Sequence, residues 1–203
     1  MSKNLEKRIE VLEKRIEVLE KMRWQKKKVV KISKKLGVGD TFGMAGVTWK
    51  ILDITEEGYK CLAEPSDSNM KFDSASNDWK SSDLREFLNG KFYDRLVDAI
   101  GADNIIPFEG NLLSLDGQTE YGTCEDKVSL LNVDEYRQYR SLIPNTDDDW
   151  WWLITSFSTP CNGYERSVAV VSPAGRVNYD GCCSGNGVRP FCIFSSAIFE
   201  SEA

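Results

Sequence analysis

No histidine occurs among the 203 residues, which excludes His-dependent triads, imidazole bases, imidazole metal ligands and histidine pH switches. Cysteine, carboxylate and hydroxyl remain. The six cysteines, at positions 61, 124, 161, 182, 183 and 192, show no CxxC spacing and have no histidine to complete a zinc site. Vicinal Cys182-Cys183 reads as two free thiols in a loop, because neighbouring cysteines seldom close a relaxed disulfide. Asp147-Asp148-Asp149 offers the hard oxygen ligands that calcium takes, but three acids ahead of Trp150 read first as a solvated loop. Asp73 and Asp78 are carboxylates of the kind a glycosidase pairs, although sequence does not place two carboxylates at a catalytic separation. No catalytic residue, metal or cofactor is assigned, and a non-enzymatic protein is expected.

A binding chemistry is easier to find. Asn178-Tyr179-Asp180-Gly181-Cys182-Cys183-Ser184-Gly185-Asn186 contains no aliphatic residue, no Lys and no Glu. Tyr supplies rigid amphipathic area, while Asn, Ser and Asp supply adaptable hydrogen bonds, a combination suited to a binding loop. The plainer alternative is a Gly-rich turn. Ligand contact is expected to centre on Asn178, Tyr179, Asp180, Ser184 and Asn186, with Tyr164, Glu165 and Arg166 next.

Strands must hold that segment at both ends. Beyond Pro144 the sequence predicts strands over 150–155, 166–172, 176–179 and 188–194, with Pro173-Ala174-Gly175 as the turn between the middle two. Trp151, Leu153, Val188 and Phe191 are read as core. Upstream, 47–54 and 59–63 read as a hairpin across Glu56-Glu57-Gly58. Residues 82–100 read as a helix capped by Ser82 or Asp83 with a break at Asn89-Gly90, and 133–140 as a second helix with Asn132 as N-cap and Glu135 three residues on. An α+β domain over 37–203 follows.

The first 36 residues are a different object. LEKRIEV repeats at 5–11 and 12–18, which puts Ile9 and Ile16 at heptad position a and Leu5, Leu12 and Leu19 at d, with Arg8 and Arg15 at g and Glu13 and Glu20 at e. A short seam flanked by opposite charges predicts a parallel homo-oligomer through residues 5–19, dimer or trimer, followed by a basic linker. These 36 residues hold 13 of the 26 basic and 5 of the 32 acidic side chains, leaving a body of net charge −14 that repels phosphate backbones, so nucleic acid is not an expected partner. No apolar run approaches the ~18 residues that cross a bilayer, and the N-terminus lacks the apolar core of a secretory signal, so membrane insertion is not expected.

Taken in order, Trp49 with Ile51, Ser82-Asp83-Leu84-Arg85-Glu86-Phe87-Leu88-Asn89, Leu130-Leu131 with Glu135-Tyr136, Trp151-Trp152-Leu153, Val171-Ser172-Pro173-Ala174-Gly175 and Gly187-Val188-Arg189-Pro190 resemble a family of domains of unknown function common in gut Firmicutes and their phages. The resemblance spans residues 37–199. It implies a C-type-lectin-like fold of the formylglycine-generating-enzyme type, the scaffold of variable proteins made by diversity-generating retroelements. In such proteins a C-terminal region ending near a GVRP-like strand displays ligand contacts, here residues 156–186. The implied function is a phage or prophage adhesin for a cell-surface protein or glycan, made in the cytoplasm and facing the host surface from the virion. The alternative is a structural virion protein, a head fibre or decoration protein, without a dedicated ligand.

Overall fold

A computed structural model of the chain describes residues 36–65 and 69–199; the heptads at 5–19 lie outside them. The chain runs through β1 (Thr41–Met44), β2 (Val47–Ile54), β3 (Tyr59–Ala63) and β4 (Asn69–Met70) into α1 (Asp83–Phe87), a π-helical turn (Leu88–Phe92) and α2 (Tyr93–Ile100). Next come β5 (Ile105–Ile106), β6 (Phe108–Asn111), β7 (Thr123–Asp126), α3 (Val133–Tyr139) and β8 (Trp151–Ser156). Last are β9 (Ser167–Val171), β10 (Val177–Gly181), β11 (Asn186–Gly187) and β12 (Phe191–Phe194). Two five-stranded sheets, β1-β2-β3-β12-β5 and β10-β9-β8-β11-β4, accompany the β6-β7 hairpin, so the domain is mixed α+β and mostly sheet.

The inner strands β8, β9 and β12 are buried on both faces, and the sequence shows why. Side chains alternate faces along a strand. Trp152, Ile154, Val168 and Val170 therefore enter one core with Trp49, Ile51 and the long helix, while Trp151, Leu153, Ala169 and Val171 enter a second with α3 and Phe191. Runs such as Trp-Trp-Leu-Ile and Val-Ala-Val-Val are apolar at every position because both faces need it.

Ser82 caps α1, its Oγ accepting from the Arg85 amide at 3.1 Å. The expected break at Asn89-Gly90 is instead the π turn within a continuous helix. Buried Leu84, Leu88, Phe92, Leu96 and Ile100 recur every fourth residue, a spacing that drifts around a helix of about 3.6 residues per turn. The wider π turn takes up part of the drift. Asn89 anchors it, its carboxamide donating to the Val128 carbonyl at 2.8 Å and accepting from the Lys127 and Val128 amides at 3.1 Å. Asn132 and Glu135 form the expected capping box at α3. At the β2-β3 turn Gly58 has φ +149°, and a Cβ there would meet the Phe194 carbonyl, so the close approach of β12 requires glycine.

The expected strand over 188–194 is two strands in two sheets. Asn186–Gly187 pairs with β4 and β8, and Phe191–Phe194 pairs with β3 and β5. Pro190, which lacks an amide proton, sits in the crossing. Arg189 beside it is 1% exposed, with Nε donating to the Ala63 carbonyl at 2.9 Å, Nη2 3.3 Å from Glu64 Oε2, and its guanidinium over the Trp151 ring at 5.0 Å. Burial pulls its pKa down to about 10 despite Glu64. The Gly-Val-Arg-Pro motif is thus a crossing between sheets with a buried cation at its centre.

Candidate functional site

β9 and β10 form a hairpin whose turn carries Gly175 at φ +77°; its amide donates to the Ser172 carbonyl at 2.8 Å, and the Ser172 amide donates to the Arg176 carbonyl at 2.9 Å. Among the described residues β10 has a strand on one side only, so it is an edge of its sheet. Narrow pairing at Ser172 and Arg176 recurs at every second residue, and the Cys182 amide donates to the Arg166 carbonyl at 2.7 Å in the same phase. The amides of Tyr179 and Gly181 therefore face away from β9. Each is bonded to the side chain before it: Tyr179 to Asn178 Oδ1 at 2.9 Å, Gly181 to Asp180 Oδ1 at 2.7 Å.

The expected loop over 178–186 is strand as far as Gly181, then a tight turn. Asp180 holds it: Oδ1 accepts from the Ser184 hydroxyl at 3.0 Å and Oδ2 from the Asn186 carboxamide at 2.9 Å. Cys182 is buried, and its carbonyl accepts the Phe72 and Asp73 amides at 3.0 Å. Cys183 is exposed. Of the expected contact residues, Asp180, Ser184 and Asn186 thus bond mainly to one another, and strand alternation puts Asn178 on the face opposite Tyr179.

Tyr179 belongs to another group. Its ring lies 4.5 Å from that of Phe157, which in turn lies 5.7 Å from Tyr164. Tyr164 is 57% and Tyr179 54% exposed. The structure thus brings together two expected residues, 164 and 179, through a third that sequence reasoning passed over. Glu165 and Arg166 are exposed in the same turn, and Arg166 Nη2 reaches the Ser74 carbonyl at 3.4 Å.

Three residues far away in sequence hold this turn. Asn77 has no exposed surface; its Nδ2 fans over the carbonyls of Ser158, Tyr164 and Ser167, each at 2.9 Å, and its backbone amide donates to the Glu165 carbonyl at 2.7 Å. Tyr121 completes the pin by donating its hydroxyl to Asn77 Oδ1 at 2.7 Å. Burial first, then the carboxylates of Asp78 and Glu120, pushes the Tyr121 hydroxyl up to about 12. Asp116 accepts the Ser114 hydroxyl at 2.5 Å, the Ser158 hydroxyl at 2.6 Å and the Asn162 carboxamide at 3.0 Å. Those bonds, Ser114 foremost, lower its pKa to about 2. An isolated Asn or Asp carries no sequence signal of such a role; only the Asn-Asp and Asp-Gly turn pairs around them are legible.

The carboxylates weighed for catalysis serve their own turns. Asp73 accepts the amides of Ala75 at 2.7 Å, Ser76 at 2.8 Å and Asp83 at 3.3 Å. Burial raises its pKa, but these amides and nearby Arg166 outweigh it and the net shift is downward. Asp78 accepts the Lys80 amide at 3.0 Å. Asp147 and Asp148 are exposed. Among the described residues no group of three or more Cys, Asp or Glu is placed to hold a metal, and no helix is long and apolar enough to cross a membrane. Two concavities, of about 240 Å³ beside Asn132 and Arg137 and about 410 Å³ beside Phe92 and Arg95, are lined by none of the expected contact residues.

Residues 51–196 match DUF6273, a domain of unknown function. The chain belongs to this family. The DUF6273 match runs from within β2 to beyond β12 and includes Asn77, Asp116, Phe157, Tyr164 and Tyr179, so the aromatic face and its pins lie inside the family domain. No curated protein and no solved structure matches the chain.

Proposed function

We propose that this DUF6273 chain is a non-enzymatic ligand- or receptor-binding protein whose contact face is Tyr164, Phe157 and Tyr179. The observation that carries the reading is two half-exposed tyrosines clustered on one phenylalanine, Tyr179 from β10 and Tyr164 from a turn pinned by a fully buried Asn77. Exposed aromatics on a rigid support lose little entropy on binding, which is how evolved paratopes use tyrosine. The order of motifs supports a finer version. In it the domain is C-type-lectin-like, stands on an N-terminal parallel coiled coil, and serves a phage or prophage as an adhesin or variable protein. Several weak heads on one stalk would gain avidity without new contacts.

The internal bonds among Asp180, Ser184 and Asn186 favour the second reading for that segment, a structural virion protein with no dedicated ligand. One experiment separates the two. Retention of the full chain on native bacterial envelope preparations is compared with that of a Tyr164→Ala/Tyr179→Ala variant of matched melting temperature. Loss of retention in the variant supports the contact face; equal retention, or no retention by the wild type, leaves the structural reading.

A further inference from the structure

We infer that the occupant of the Tyr164–Phe157–Tyr179 face is a neutral oligosaccharide of at least two sugar rings. This rests on the contact-face reading above and adds the ligand class.

Three observations narrow the occupant. The first is the closed edge of β10. An exposed edge strand ordinarily takes an extended peptide by main-chain pairing, but the outward amides of Tyr179 and Gly181 are already bonded to Asn178 and Asp180. Main-chain pairing is thereby weakened at these two positions, which favours recognition through side chains. The second is size. Fully burying an aromatic side chain removes roughly 150–250 Å² from water, so two tyrosines at 57% and 54% exposure offer roughly 200 Å². Each partner in a standard protein–protein interface contributes roughly 800 Å². The tyrosine area matches the apolar faces of one or two pyranose rings instead. The third is charge. Glu165 and Arg166 offset each other beside Tyr164, while the body of the chain carries net −14. Long-range repulsion therefore disfavours polyanions such as nucleic acid and acidic glycans.

Ring geometry sets the minimum length. Phe157 packs against both tyrosines, tilted 66° to Tyr164 and 46° to Tyr179. Each tyrosine offers a ring on which the C–H face of one sugar can stack, so the proposed ligand has at least two rings, one for each tyrosine.

The test takes the full-length wild type, Tyr164→Ala, Tyr179→Ala, the double Ala variant and Tyr179→Trp to two probes. One is an array of neutral, amino and acidic oligosaccharides. The other is bacterial envelope material left native, oxidised with periodate to cleave sugar vicinal diols, or digested with protease. Expected are binding to neutral oligosaccharides, a loss of about tenfold for each Tyr→Ala, undetectable binding for the double variant and retention by Tyr179→Trp, which keeps a stacking ring. Envelope retention should be periodate-sensitive and protease-resistant. Retention that survives periodate, disappears after protease and still falls in the double variant keeps the face and overturns the sugar. Preference for acidic glycans, or monosaccharides binding as well as oligomers, also overturns the inference. A double variant that binds like wild type, or no binding to either probe, removes the face itself.

Discussion

At the scale of single residues, Asn77 and Asp116 hold the contact turn by different physics. Asn77 is buried and neutral, and removing its side chain takes a donor from the carbonyls of Ser158, Tyr164 and Ser167, the last of which keeps the Phe157 amide, and an acceptor from the Tyr121 hydroxyl. Asn77→Ala is expected to destabilise the domain by about 2–4 kcal/mol, read as a shift in the urea midpoint at constant slope. Asn77→Asp should be no better, since a carboxylate cannot donate to those carbonyls. Asp116 is an exposed carboxylate whose acceptor bonds are strongest when it is ionised and weaken when one oxygen carries a proton. Its folded pKa of about 2 lies below the ordinary value of about 3.9, so its stabilising contribution is full above about pH 4 and disappears as pH falls toward 2. Amide exchange protection around Ser158 and Asn162 should fall across that window in the wild type. In Asp116→Asn it should change less; equal pH dependence in both would refute the role.

At the scale of elements, β10 shows how an edge strand is kept from pairing with another chain. The usual devices are charge, proline or a bulge. Here Asn178 and Asp180 turn back onto the amides that would otherwise be offered, leaving Tyr179 free for side-chain contact. Asn178→Val with Asp180→Val should reopen the edge. The expected result is concentration-dependent association beyond that of the wild type by light scattering. A lower melting temperature should accompany it, because Ser184 and Asn186 lose their acceptor. Unchanged association would mean that the amides are not what closes this edge.

At the scale of the whole molecule, the described residues form a domain with two cores. The long helix packs against one face of the sheets and α3 against the other. The core residues fall within 36–199. The heptads at 5–19 then make a separable prediction: the full chain is a parallel homo-oligomer, and a chain beginning at Gly37 is a folded monomer. Sedimentation of both chains checks it, and a monomeric full-length protein would refute the oligomer.

What was legible in the sequence was local. Ser82 and the Asn132/Glu135 box mark helix starts because a cap acts within three residues. The unbroken apolar runs at 151–154 and 168–171 mark strands buried on both faces, and Pro173-Ala174-Gly175 marks the hairpin turn. The two exposed tyrosines were legible as residue types suited to contact. Tertiary structure alone decided which polar residues were free to act. Asp180, Ser184 and Asn186 looked available in sequence and are bonded to one another, whereas Asn77 and Asp116 looked ordinary and hold the turn from 81 to 90 and from 42 to 46 positions away. A side chain's chemistry belongs to its residue, but its unsatisfied donors, acceptors and exposed area depend on what the fold brings beside it.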